Sequence, residues 1–145
     1  MKVSTRVEYG LVAITDIVLH SEKGKSVSAP EIAERQHISH KYLEQILLLL
    51  RQAGFIKAQK GLRGGYALCC PASEIRLSDV LNALDGSILS GMEEDDAGDL
   101  RSVINKCFWN RINSNLKEYA ENMKLSEFAA QCQNNLPESW DLYMI

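Results

Sequence analysis

No apolar run in this 145-residue chain approaches the roughly 20 residues that a membrane-spanning helix requires. A signal-peptide pattern is missing too: Met1-Lys2-Val3-Ser4-Thr5-Arg6 leads straight into an amphipathic segment, so a cytoplasmic protein is expected. Cysteine is scarce. The four cysteines, at 69, 70, 107 and 132, form no CxxC pair, no zinc-spaced cluster with histidine and no ladder of a disulfide scaffold. Cys69 and Cys70 are adjacent, and on a strand they would point to opposite faces. Catalytic constellations are lacking as well. There is no Ser/His/Asp or Cys/His pairing, phosphate loop or metal motif, and the three histidines at 20, 37 and 40 cluster only in sequence. An enzyme is therefore not expected, and no catalytic or metal-binding residue is assigned.

The chain also lacks the net positive charge of many nucleic-acid binders, since its formal charge is −3. That total hides a division. Residues 1–70 carry ten Lys/Arg and six Asp/Glu, a balance of +4, while residues 71–145 carry six and thirteen, a balance of −7. The first half suits a polyanionic partner and the second half another task.

The first half is punctuated by helix signals. From Ser4, a plausible N-cap with Thr5 as the alternative, Val7, Leu11, Val12, Ala13, Ile14, Ile17 and Val18 recur at helical spacing to about His20. Residues 21–27 read as a connecting loop. Ser28-Ala29-Pro30-Glu31 is a capping box with proline in the first turn, and it opens a short helix to about Gln36. His37-Ile38 turns the chain. Ser39 caps a longer helix to about Ala53, closed by Gly54, with Tyr42, Leu43, Ile46, Leu47, Leu50 and Ala53 as its buried stripe. Short helix, tight turn, longer helix: this is a helix-turn-helix.

Phe55 to Gln59 and Tyr66 to Cys69 then alternate as two strands around Lys60-Gly61-Leu62-Arg63-Gly64-Gly65, a basic turn in which Gly64 and Gly65 are expected to allow positive φ. This hairpin is the wing of a winged helix. Pro71 stops it, and a short helix from Leu77 to Leu84 completes a DNA-binding domain over residues 1–86.

Residues 87–99, with the run Glu93-Glu94-Asp95-Asp96, read as an acidic flexible linker. A long helix follows from Leu100 to Met123, about 36 Å at 1.5 Å per residue. Its narrow apolar stripe of Leu100, Val103, Ile104, Cys107, Phe108, Ile112, Leu116, Tyr119 and Met123 resembles a coiled-coil seam and calls for a second copy of the chain. Residues 100–131 are thus read as dimerisation helices. Residues 132–145 are read as a tail with exposed Trp140 and Tyr143. The fold class is mainly α with a small β-hairpin wing.

The strings Ile32-Ala33-Glu34-Arg35, Tyr42-Leu43-Glu44-Gln45, Gly64-Gly65-Tyr66 and Leu77-Ser78-Asp79-Val80, in this order of elements, resemble the Rrf-two type (IscR/NsrR/CymR-like) winged helix-turn-helix regulators over residues 1 to about 130. The resemblance implies a homodimeric transcriptional regulator that binds a palindromic double-stranded operator and answers to a redox, metabolite or partner signal. Its base-reading helix corresponds to Ser39 through Arg51. Gln45 can pair with adenine N6/N7 and Glu44 can accept from cytosine N4. Lys41, where a serine is frequent, can take a phosphate or a guanine. Either Lys60 or Arg63 reaches the minor groove or its phosphates. Ser39, His40, Tyr42, Arg51 and Gly64 complete the expected DNA-binding set, with His40 either on phosphate or in solvent. Tyr66 is expected to pack behind the wing.

The sensor departs from the family. Where cluster-binding members carry three cysteines in the loop and at the start of the long helix, this chain has none from Pro71 to Lys106; Val103 and Lys106 stand where a cysteine and a histidine are frequent. No cofactor is expected, and a conventional three-cysteine iron–sulfur cluster least of all. Glu8 occupies the place of a ligand donated across the dimer, with a surface or interhelical carboxylate as the alternative. Cys107 is either a small buried hydrophobe or a thiol sensor. A different role, as a protein-interaction module acting through a partner metabolic enzyme, would place its contacts on the acidic linker and the tail.

Overall fold

The computed structural model describes residues 3–21, 24–62, 64–92 and 98–137. The first helix, α1 (Thr5–His20), starts where Ser4 Oγ accepts from the Val7 amide at 3.3 Å. Val7, Gly10, Ala13, Ile14 and Ile17, spaced by three and four, bury one face. Gly10 makes room for Leu84, whose buried side chain would have to shift to admit a Cβ there.

The capping box of Ser28 and Glu31 is formed in both directions, at 3.3 and 3.0 Å, and opens α2 (Ala29–Gln36). His37 takes the left-handed conformation, φ 55°, and turns the chain into α3 (His40–Gln52). Ser39 Oγ caps α3 by accepting from the Tyr42 amide. Leu43, Ile46, Leu47 and Leu50 are buried, whereas Ala53, expected in that stripe, is the exposed cap residue because the helix ends at Gln52. Gly54, φ 85°, makes the left-handed exit.

The wing pairs β1 (Ile56–Gln59) antiparallel with β2 (Gly65–Leu68), from Ile56 opposite Leu68 to Gln59 opposite Gly65. A third segment joins it. Val27 donates to the Tyr66 carbonyl at 2.8 Å and accepts from the Tyr66 amide at 2.7 Å, so the end of the expected connecting loop is ordered against the sheet. This corrects the role of the two wing glycines. The positive φ in the turn belongs to Gly61 (119°), not to Gly64 or Gly65. Gly65 is needed because a Cβ would lie 2.6 Å from the Val27 carbonyl, and Gly64 because one would lie 2.7 Å from the Gln59 carbonyl oxygen.

After a 3-10 turn at Ala72–Glu74 comes α4 (Leu77–Leu84). The described part of the expected linker is turned and anchored: Leu89 is buried in the core, and the Met92 amide donates to Asn110 Oδ1 at 2.9 Å. The apolar pair Ile88-Leu89 outweighs the polarity around it. The acidic run 93–96 lies outside the described residues.

Asp99 caps the long helix by accepting from the Ser102 amide and hydroxyl at 2.9 and 2.6 Å. The helix has three parts: α5 (Leu100–Ile104), a π-helical turn (Asn105–Trp109) and α6 (Asn110–Asn122). The π turn shifts the apolar face relative to a uniform helix, a feature that helical periodicity did not reveal. Leu100, Val103, Ile104, Cys107, Phe108, Ile112 and Tyr119 of the expected seam are exposed. Two members of it are not. Leu116 packs against the core of its own chain, and Met123 is buried in it. The cause is a short antiparallel bridge in which Leu77 donates to the Met123 carbonyl and Leu125 to the Ile75 carbonyl, each at 2.8 Å. That bridge ties the end of α6 and the start of α7 (Leu125–Asn135) to the segment that leads into α4, and α7 then packs on α1. The tail residues Trp140 to Ile145 lie outside the described residues. Among the described residues, no helix is long and apolar enough to cross a membrane.

Candidate nucleic-acid interface

Positions 41, 44, 45, 48 and 51 recur at steps of three and four, so α3 presents them on one face, opposite its buried stripe. Lys41, Glu44, Gln45, Leu48 and Arg51 line a groove of about 470 Å³ whose far wall is Tyr66 of β2. The four polar members were expected from the sequence. Leu48 was missed: it stood in neither the expected stripe nor the expected DNA-binding set, since helical spacing put it off the stripe and an apolar side chain gave no sign of a contact. Tyr66 both packs against the core and borders the groove.

Other predicted residues fall around this groove. Ser39 is exposed, with its hydroxyl engaged as the cap of α3. His40 is exposed at the first turn. Tyr42 does not line the groove; its ring packs edge-on against Tyr9 of α1, centroids 5.8 Å apart, and so sets the position of α3. Lys60 is exposed on the other flank of the wing, where it shares a concavity of about 850 Å³ with Lys25, Ser26, Ser28, Glu31 and Gly64. Leu62 stands fully exposed at the wing tip. Arg63 lies outside the described residues.

A buried carboxylate holds the helix-turn-helix in place. Asp16, 2% exposed, accepts from Arg35 Nε and Nη2 at 3.0 and 2.9 Å and from Gln36 Nε2 at 2.8 Å. His20 Nδ1 lies 2.7 Å from the Asp16 carbonyl and 3.3 Å from its carboxylate. Burial by itself would raise the Asp16 pKa; the hydrogen bonds from His20, Arg35 and Gln36 outweigh it and hold the group at about 2. The sequence carries a faint sign of this clamp, a lone aspartate among apolar residues of α1, but not its partners.

The expected sensor residues are separate features of the chain. Glu8 is exposed on α1 beside an apolar groove of about 580 Å³ that includes Val7, Leu11, Val12, Phe128 and Cys132. Cys107 is exposed on the π turn, on the same uncovered apolar face as Val103, Ile104 and Phe108. Among the described residues, no group of three or more His, Cys, Asp or Glu side chains is placed to hold a metal ion. Cys69 and Cys70 both border a cavity of about 640 Å³ and lie beyond the strand, which ends at Leu68. Burial pushes the Cys70 thiol up, helped by Glu74 and Cys69.

The family model of Rrf2, described as an iron-dependent transcriptional regulator, matches residues 3–131. The HTH-type transcriptional regulator IscR of Cereibacter sphaeroides is 32% identical over 133 residues, covering 88% of this chain and 86% of that one. Protein rrf2 of Nitratidesulfovibrio vulgaris is 44% identical over 85 residues, 59% of this chain and 56% of that protein. Among solved structures, CymR, the global cysteine regulator of B. subtilis, superposes with a TM-score of 0.77 at 29% identity, covering 90% of this chain and 98% of that chain. IscR of T. potens gives 0.76 at 29% identity, covering 95% and 93%. IscR and CymR are both named as regulators. With a winged helix-turn-helix whose polar helix face and wing meet at one groove, and a match spanning residues 3–131, the chain belongs to the Rrf2 family of DNA-binding transcriptional regulators.

Proposed function

We propose that this protein is a dimeric, sequence-specific repressor that reads a palindromic operator with α3 in the major groove and the wing alongside. The observation that carries the reading is the convergence of Lys41, Glu44, Gln45 and Arg51 on the groove closed by Tyr66. Gln45 offers the bidentate amide that suits adenine, Glu44 an acceptor for cytosine N4, and Lys41 and Arg51 the cations that suit phosphate or guanine. Lys60 follows the backbone from the wing, and Arg63 is its alternative there.

The dimer is supported by the helix 100–122. Leu100, Phe108 and Ile112 are 73%, 51% and 36% exposed in the single chain, together with Val103, Ile104 and Trp109. An apolar face of that extent on an α-helix has a partner as its natural explanation. A twofold dimer would present two copies of α3 to half-sites one helical turn apart, about 34–36 Å.

The signal is a redox change, a metabolite or a partner, read without a conventional three-cysteine cluster. The residues present do not fit such a group: no cysteine lies between Pro71 and Lys106, and Cys107 stands on the long helix with Val103 and Lys106 around it. The decisive test is selection of duplexes from a random pool, followed by a reporter carrying the selected site. Enrichment of a palindrome, affinity falling steeply with salt, and lower reporter output in the presence of the protein are expected. Failure to enrich any duplex would refute the reading.

A further inference from the structure

A large apolar side chain stands in the middle of the polar reading face. Leu48 is 52% exposed, whereas the other aliphatic residues facing inward from α3, Leu43, Ile46, Leu47 and Leu50, are each 1% exposed or less. It therefore contributes little to the core. Helix propensity does not require it either, because Lys, Gln, Glu or Arg would serve as well at an exposed position. Its neighbours in the groove are Lys41, Glu44, Gln45 and Arg51, with Tyr66 across from them.

We infer that Leu48 is a base-reading residue, packing against the C5-methyl group of a thymine in the operator. This rests on the reading of α3 as a major-groove helix. Polar side chains satisfy the donors and acceptors of base edges and phosphates, and an exposed leucine has nothing to offer them. The apolar group that the major groove does present is the thymine methyl. Burying leucine against that methyl removes both from water, and placing it against a cytosine or guanine edge strands polar atoms.

The position along the helix narrows the prediction. Leu48 lies one turn beyond Gln45 on the same face, about 5–6 Å away between Cβ atoms. Base pairs along the duplex are 3.4 Å apart, so the two side chains address the same or neighbouring base pairs. A half-site in which the adenine taken by Gln45 lies beside a thymine taken by Leu48 follows. Leu48 carries no charge, so its contribution is independent of salt, unlike that of Lys41 or Arg51.

The test uses a duplex selected by the full-length protein, resynthesised with each thymine in turn replaced by deoxyuridine, which removes only the methyl group. Wild-type binding is expected to weaken about fourfold at one position per half-site, the worth of one buried methyl-sized group. Leu48→Ala should bind the thymine duplex more weakly by at least that factor and be indifferent to deoxyuridine there, with an unchanged salt slope. Leu48→Met should keep the discrimination, and circular dichroism melting of both variants reports their folding. Wild-type indifference at every thymine, or undiminished discrimination by Leu48→Ala, overturns this inference and leaves the DNA reading intact. Recovery of no duplex overturns the reading of α3 and this inference with it.

Discussion

The guanidinium of Arg35 in α2 grips the carboxylate of Asp16 in α1 with two parallel hydrogen bonds, 3.0 and 2.9 Å long. Asp16 is buried and its pKa is held at about 2, below the ordinary 3.8. A depressed carboxylate pKa contributes stability that is complete above pH 4 and lost as pH falls from about 4 to about 2. That contribution is about 2 kcal/mol at neutral pH. Urea unfolding of the wild type should show this loss between pH 4 and 2. Arg35→Ala leaves the carboxylate short of its two-bond partner, so it should be less stable by about 3 kcal/mol at pH 7 and show a weaker acid dependence. An unchanged acid limb in the variant would count against the clamp.

The Val27–Tyr66 pairing makes Gly65 a steric requirement. Gly65→Ala should lower stability by about 1–3 kcal/mol, the usual cost of forcing atoms into a closed contact. It should also weaken operator binding, because the wing is displaced from the loop that braces it. Thermal melting and fluorescence anisotropy check the two effects separately.

Gln45 and Lys60 should fail in different ways. Gln45→Ala is expected to cost about 1–3 kcal/mol in operator affinity and to relax preference at one base pair of each half-site. Lys60→Ala should weaken all duplexes alike and make the salt slope shallower by about 1. Binding titrations across a salt series, on the selected duplex and on a scrambled one, distinguish them.

Phe108→Asp and Ile112→Asp place charge on the exposed face of the long helix. Sedimentation should show the wild type as a dimer and the variants as single chains, with operator affinity sharply reduced. Variants that still sediment as dimers would move the interface elsewhere, the apolar groove between α1 and α7 being the next place to probe.

Protein purified without oxygen should have a featureless visible spectrum and no stoichiometric iron or zinc. A coloured protein with iron lost on replacing Cys107 by serine would show instead that this cysteine takes part in a cluster of unconventional ligands.

Much of the reading head was legible because its signals are local. Ser28 with Glu31, Ser39 before Tyr42 and Gly54 after Gln52 act over three or four residues, and the structure realises each. What escaped depended on residues distant in sequence. Leu48 had no role in the sequence reading until the exposed face of α3 was seen to share a groove with Tyr66. Met123 looked like the end of a dimer seam until its carbonyl was found bonded to Leu77. Gly65 looked like a turn glycine until Val27 was brought against it.

By itself, the sequence determined where the helices of the first half begin, to within a residue where they end, and that a polar helix face and a basic hairpin would follow one another. Caps, breakers and the 3.6-residue period act within a single turn of chain, so no distant residue is needed to interpret them. The tertiary structure decided which apolar residues serve the core and which remain exposed, what the wing rests on, and that Asp16 anchors α2 through Arg35. Those outcomes depend on burial and on hydrogen bonds between distant segments, such as that from Leu125 to the Ile75 carbonyl, 50 residues apart. A pattern confined to neighbours along the chain carries no record of them.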